Sequence, residues 1–278
     1  MRERTKPILD REKSRAFRER YGPWAIVTGA SSGIGEEFAR QLAAYGLNIV
    51  LVARRRDRLE ALAKEIERDH KIEALVIESD LANVDACDNL VLATNPLEIG
   101  LLVNNAGFGL KGEFLDLDLD EQRRMITVNC RAPVELTHAF APLMVKRKRG
   151  GVIIVSSAAA FQGLPGTAAY SATKAFELLF AEGIREELRP FGVDVLALCP
   201  GPTDTEGPRR TGVDPDKVPI KMMTAAAVAK AGIETLGPRA ITIPGFMNRL
   251  VYYLVRLLPR AFVSRIAGRL IRSVGKSP

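Results

Sequence analysis

At 278 residues, 47% of them apolar, the chain can build one large α/β domain or two small ones around a substantial core. Its three cysteines, Cys87, Cys130 and Cys199, are odd in number, widely spaced and form no C-x-x-C pair. That argues against a disulfide framework or a metal site, and for a reducing, cytoplasmic setting. The formal charge of +7 is unevenly held: residues 239–278 carry seven Arg and one Lys with no acid, residues 1–22 are net +4, and the body between is mildly acidic. A nucleic-acid-binding function, which needs its basic stripe on a recognition element, is not expected.

The opening segment, MRERTKPILDREKSRAFRER, lacks the apolar core of a signal peptide and reads as a charged arm over 1–22, either a solvated helix or a frayed leader. Short apolar runs follow, each bounded by Gly, Asp or Pro: WAIV (24–27), NIVLVA (48–53), ALVI (74–77), GLLV (100–103), GVIIV (151–155) and VDVLAL (193–198). They read as buried parallel strands. Segments of helical length, such as 56–70 and 168–188, separate them, so β and α alternate and a doubly wound parallel sheet is expected over 23–245, as a single domain. No run of 18 uncharged apolar residues occurs to span a membrane. Residues 246–278 read as a helical extension, nearly all apolar over 250–258 and divided by Pro259. A helix over 261–276 would put Arg265, Arg269, Arg272 and Lys276 on one stripe and Phe262, Ile266, Leu270 and Val274 on the other side. This pattern suits an anionic membrane surface; it equally suits a cover for a neighbouring subunit or for the substrate mouth.

The loop TGASSGIG (28–35), after the first strand, admits two chemistries. Gly29, Ser31 and Gly33 match G-x-S-x-G, the turn that presents a hydrolase serine, whereas Gly29, Gly33 and Gly35 form a loop that lets a dinucleotide phosphate approach backbone amides. A hydrolase also needs an acid and then a histidine. The only histidines are His70, closing a charged helical segment, and His138, mid-helix among Leu136, Phe140 and Leu143. An elbow on the first strand has no earlier strand to supply an oxyanion loop, so the dinucleotide reading is preferred. The second strand then ends in Ala53-Arg54-Arg55-Arg56, where an NAD site would place an acid. Arg54 offers a planar fork to a 2′-phosphate, with Arg55 as a second contact, so the cofactor is expected to be NADP(H). Further on, Tyr170 and Lys174 are four apart on one helical face. A tyrosine hydroxyl becomes a base at neutral pH only if its pKa falls by about three units, roughly 4 kcal/mol, which a lysine and an oxidised nicotinamide can jointly supply.

Taken together, T-G-A-S-S-G-I-G, N-N-A-G (104–107), Y-S-A-T-K (170–174) and P-G-P-T-D-T (200–205) resemble, in order and spacing over about 23–243, the short-chain dehydrogenase/reductase family. The resemblance implies a Rossmann fold with strand order 3-2-1-4-5-6-7, a homo-oligomer, and an oxidoreductase that interconverts a carbonyl and an alcohol. It makes Tyr170 the acid/base beside Lys174, Ser157 the hydrogen-bond partner of the substrate oxygen, and Asn129 the holder of a water linking the lysine to solvent. Ser31, Ser32 and Ile34 would complete the glycine loop, while Asp80 and Leu81 would meet the adenine. Asn104, Asn105, Ala106 and Gly107 would floor the adenosine half; Pro200, Gly201, Thr203 and Thr205 would flank the nicotinamide. The family's substrate lid corresponds to the loop after Gly201, where Arg209, Arg210, Lys217 and Lys221 would grip an acidic group or simply be solvated. Phe108, Leu110, Phe161 and Leu164 follow strand ends on the catalytic side and suggest an apolar pocket for a hydrophobic ketone, aldehyde or secondary alcohol. The alternative is an NADP-binding regulator or scaffold without turnover, against which the intact Asn129, Ser157, Tyr170 and Lys174 set speaks.

Overall fold

Valine, isoleucine and leucine runs buried on both faces form parallel strands when helices cover each side of the sheet. The computed structural model describes residues 11–207 and 222–274, with side chains as far as residue 269. The six runs become β1 (Trp24–Thr28), β2 (Asn48–Ala53), β3 (Ala74–Glu78), β4 (Ile99–Asn104), β5 (Gly150–Val155) and β6 (Val193–Leu198). Two short strands, β7 (Thr203–Asp204) and β8 (Met223–Thr224), pair with each other, and β9 (Ile241–Thr242) joins the main sheet. All seven strands of that sheet run parallel in the order β3-β2-β1-β4-β5-β6-β9, the doubly wound α/β arrangement expected. The direction of winding reverses between β1 and β4. There the following connections diverge to opposite faces and open a crevice beyond the carboxyl ends of the strands.

Successive residues of each strand enter opposite cores. Ala25 and Val27 pack with Phe38 and Leu42 of α2 (Gly33–Ala44), Leu59 and Ile66 of α3 (Arg56–His70), and Val228 and Ile233 of a later helix over Ala225–Thr235. Ile26 packs on the other face with Leu90 of α4 (Ala86–Thr94), Leu136 and Phe140 of the helix Ala132–Arg147, and Leu178 of the helix Ala168–Leu188. In chain order these helices, with α1 (Arg11–Tyr21), α5 (Leu119–Ile126) and two at the carboxyl end, are α6 (Ala132–Arg147), α7 (Ala168–Leu188), α8 (Ala225–Thr235), α9 (Phe246–Arg256) and α10 (Arg260–Val274).

The described part of the amino-terminal arm is neither frayed nor wholly solvated. Phe17 and Tyr21, four apart on α1, turn inward: Phe17 lies against Tyr45, ring centroids 4.7 Å apart, and Tyr21 is buried. The Tyr21 hydroxyl donates to Asp194 Oδ2 at 2.7 Å, and its ring covers Gly151 at the start of β5. Burial and the Asp194 carboxylate together raise the phenol well above the ordinary tyrosine range. α1 therefore closes the amino end of the sheet, opposite the crevice. Tyr21→Ala is expected to cost about 3 kcal/mol of stability, and Tyr21→Phe about 1 kcal/mol, by urea denaturation; an unchanged midpoint for the alanine variant would show that α1 adds nothing to the core.

Candidate active site

The crevice is built where the ends of β1 and β4 are laced together. Thr28 Oγ1 donates to the Val103 carbonyl at 3.2 Å and accepts the amides of Asn105 and Ala106, each at 2.9 Å. Asn105 Nδ2 donates back to the Thr28 carbonyl at 2.8 Å. The chain leaves β1 through Gly29, with φ +67°, and enters α2 at Gly33, with φ +60°, conformations that favour glycine. A Cβ on Gly35 would collide with the Gly29 carbonyl and the Asn105 amide. Ser32, at the N-cap of α2 in extended backbone, makes no side-chain cap to the helix. The first turn of α2 thus faces the crevice with its amides, as a phosphate-binding loop requires. Ile34 is half-buried in that turn.

The serines are instead engaged by Arg55. Its guanidinium donates to Ser32 Oγ at 2.7 Å and to Ser31 Oγ at 3.0 and 3.1 Å, and its Nη1 pairs with Glu206 at 2.7 Å. Arg58 also pairs with Glu206, and the two arginines hold that carboxyl down at about 2. Arg54 stays exposed, with Asp80 as a loose partner at 3.9 Å. Asp80 itself accepts from Arg124 at 2.9 Å and from the Ala82 amide at 3.0 Å, beside buried Leu81. Pro200 accepts the Ala158 amide, Gly201 lies against Asn248, and buried Thr203 donates to the Gly201 carbonyl at 2.9 Å. The Thr205 methyl reaches over Gly33, so the segment 200–205 overhangs the start of α2.

Deeper in the crevice, Asn129 sits in a single π-helical turn, Thr127–Arg131, between α5 and α6. π turns splay the backbone and recur at functional sites. The fully buried Asn129 amide donates to the Phe108 carbonyl at 3.0 Å and to Thr173 Oγ1 at 2.9 Å, and Oδ1 accepts the Phe108 amide at 3.2 Å. It ties the segment after β4 to α7. Tyr170 and Lys174 lie one turn apart on α7, with the Tyr170 ring against Gly109. Lys174 is buried beneath Gly107, where any Cβ would press on both its Nζ and Asn129 Oδ1. The two serines after β5 separate clearly: Ser156 is buried and donates to the Lys174 carbonyl at 2.7 Å, while Ser157 is half-exposed and accepts the Ala159 amide at 3.1 Å. Asn104 lies buried under this floor, donating to Thr137 Oγ1 at 3.1 Å.

The family model described as short chain dehydrogenase matches residues 23–214. The chain belongs to the short-chain dehydrogenase family. It is 34% identical over 233 residues to the 7beta-hydroxysteroid dehydrogenase of Clostridium sardiniense, 84% of this chain and 89% of that one. It is 32% identical over 249 residues to the very-long-chain 3-oxoacyl-CoA reductase of Homo sapiens, 88% of this chain and 76% of that one. Among solved structures, the short-chain dehydrogenase from Sphingobium yanoikuyae in complex with NADPH aligns with a TM-score of 0.78 at 31% identity, over 87% of this chain and 95% of that one.

One polar residue of the site escapes sequence reasoning. Glu177, one turn beyond Lys174 on α7, is buried and receives Lys174 Nζ at 3.0 and 2.9 Å. Its signal was an acid isolated in the apolar stretch AFELLF (175–180), three residues after a lysine. Burial by itself would lower the Lys174 pKa, but the Glu177 charge and hydrogen bond, together with Tyr170 and Cys130, outweigh it and keep the ammonium raised; burial pushes Glu177 up to about 7.

The mouth of the crevice is apolar. Phe108, Leu110, Phe161 and Leu164 are half-buried along it. The carboxyl-terminal helices dock on the segment that follows Ser157: Phe161 meets Tyr252 with centroids 4.1 Å apart, Gln162 donates to the Arg260 carbonyl at 3.0 Å, and Ser264 to the Gly163 carbonyl at 2.7 Å. Their inner side therefore rims the mouth. Arg209, Arg210, Lys217, Lys221 and Lys276 lie outside the described residues, as do the side chains of Leu270, Arg272 and Val274.

Proposed function

We propose that the chain is an NADP(H)-dependent carbonyl reductase or alcohol dehydrogenase acting on a hydrophobic ketone, aldehyde or secondary alcohol. The Tyr170–Lys174 pair on α7, with Lys174 meeting Asn129 at Gly107 and Ser157 just beyond β5, carries this reading. The loop fits a dinucleotide: its glycines let the ends of β1 and β4, the start of α2 and Thr205 approach where a Cβ has no room, and the Ser32 side chain leaves the helix N-terminus uncapped. When bound, the nicotinamide supplies or accepts the hydride at the carbonyl carbon. In reduction Tyr170 gives its hydroxyl proton to the carbonyl oxygen, and in oxidation it takes that proton back. Ser157 Oγ holds the same oxygen; the Lys174 charge steadies the phenolate that reduction leaves behind. Asn129 keeps the Phe108 segment and α7 in register beneath the reacting groups.

The 2′-phosphate falls to Arg54 and Arg55. Ala53 stands where an acid would repel it, exposed Arg54 has no tight partner to surrender, and Arg55 already crosses Ser31 and Ser32. The apolar mouth, and relatives named for steroid and very-long-chain acyl substrates, support a large hydrophobic substrate.

The setting is a membrane surface. On α9 and its C-cap, Phe246, Leu250, Tyr253, Leu254 and Leu257 fall on one stripe and are exposed, the C-cap Leu257 to 82%, while Asn248 and Tyr252 turn inward. On α10, Val263 is buried and Phe262 and Ile266 are exposed. No acid occurs over 239–278 to offset the arginines. A second copy docked on this face by a two-fold axis would set two basic segments together, whereas anionic lipid is complementary to both the charge and the apolar stripe. No helix among the described residues is long and apolar enough to cross a membrane, so the contact is interfacial.

Tyr170→Phe is expected to lower kcat by about 10³-fold while leaving the NADPH dissociation constant near wild type; appreciable residual turnover would remove Tyr170 from proton transfer. In titrations followed by nicotinamide fluorescence, Arg54→Ala should weaken NADPH about tenfold and NADH little, and an equal loss for both would refute the 2′-phosphate contact. In flotation assays the full chain should bind phosphatidylcholine vesicles only when they contain phosphatidylserine, with binding reduced by salt. Leu254→Glu with Leu257→Glu should abolish that binding while sparing turnover of a soluble ketone. Absence of vesicle binding, or a dimer that this double variant dissociates, would overturn the membrane assignment.

A further inference from the structure

The Lys174 ammonium has three donors, and Val155 and Glu177 supply three acceptors for them. One reaches the Val155 carbonyl at 3.0 Å and two reach the carboxylate oxygens of Glu177 at 3.0 and 2.9 Å, with Nζ standing 5.9 Å from the centroid of the Tyr170 ring. Burying a carboxylate is costly unless it is paired, so Glu177 and Lys174 hold each other in place. The carboxylate also offsets the positive charge that would otherwise act on the Tyr170 hydroxyl.

We infer that Glu177, by holding Lys174 and offsetting its charge, is the positioning residue that keeps Tyr170 in its proton-donating form and so biases the site towards carbonyl reduction, an inference that rests on Tyr170 being the acid/base. The titratable groups facing the pair are Tyr170 from α7, Cys130 from the π turn and Cys199 just beyond β6, the last also influenced by Glu182. Burial pushes the Cys130 thiol up to about 11 and Cys199 up to about 12, so both are neutral across the working range. Beside these two thiols, Glu177 is the group that changes charge near neutrality. With the carboxyl protonated, below about 7, the Lys174 charge acts on Tyr170 in full; with it ionised, above about 7, that charge is largely offset. A less stabilised phenolate forms at higher pH, which favours the direction in which Tyr170 gives a proton and hinders the direction in which it must first lose one.

Glu177→Gln keeps the size and a hydrogen-bond acceptor but removes the charge. The acid-side limb of kcat/KM for alcohol oxidation should move down by about one pH unit, and the alkaline limb for carbonyl reduction should fall with it. Glu177→Asp, which retains the carboxylate, should return both limbs towards wild type. Unmoved limbs in a folded Glu177→Gln variant would overturn the inference even where Tyr170→Phe is inactive, whereas an active Tyr170→Phe variant would overturn the acid/base reading itself. Should Glu177→Gln not fold, the ultraviolet phenolate signal of wild type minus Tyr170→Phe decides: it is expected only on the alkaline side of neutrality, and its appearance below neutrality would refute the role of Glu177.

Discussion

The close approach of two strand ends is the constraint on which the site depends. β1 and β4 are adjacent in the sheet yet separated by some seventy residues of chain, and their connections depart to opposite faces. The crevice between them exists only if the backbone can pass through a space with no room for side chains, at Gly35 against Gly29 and Asn105. Thr28 and Asn105 then satisfy the polar groups exposed where the strands stop pairing, which fixes the loop without closing it. The amides at the start of α2 are left without a cap from the Ser32 side chain.

Polar groups beneath the crevice follow from the same geometry. Lys174 has to be buried to sit under Gly107, and a buried ammonium needs partners. Val155 and Glu177 provide them, while Asn129, lifted out of the regular ladder by its π turn, braces the floor from the opposite side. The site is consequently rigid at its base and apolar at its mouth, a combination that suits a reaction in which one proton moves over a short distance on a hydrophobic substrate.

The first and last described helices lie at opposite ends of the strands. α1 closes the amino end with Phe17 and Tyr21, and the carboxyl-terminal pair rims the mouth with Tyr252 and Ser264. α9 differs from α1 in having a second apolar side. Its inward side uses Asn248 and Tyr252, so the stripe from Phe246 to Leu257 is surplus to the packing of one chain.

Much of this was legible in local pattern. Apolar runs of strand length, alternation with helical segments, the glycines of the first turn and the Tyr170–Lys174 spacing depend on neighbours within a few residues, so the fold class could be read from them and the reacting groups proposed. What tertiary structure alone decided concerns partners distant in sequence. Ser156 and Ser157 look alike until the Lys174 carbonyl claims the first. Arg55 and Arg54 were ranked in the reverse of their contact with the loop, because Glu206, about a hundred and fifty residues away, draws Arg55 across Ser31 and Ser32. The arm over 11–21 reads as charged because its two inward rings are outnumbered by arginines and glutamates, yet those rings determine where it lies. Glu177 was passed over since an acid on a helix is ordinarily solvated; only the packing of α7 against β5 and the π turn turns it inward, where the one favourable partner for its charge is the lysine of the site.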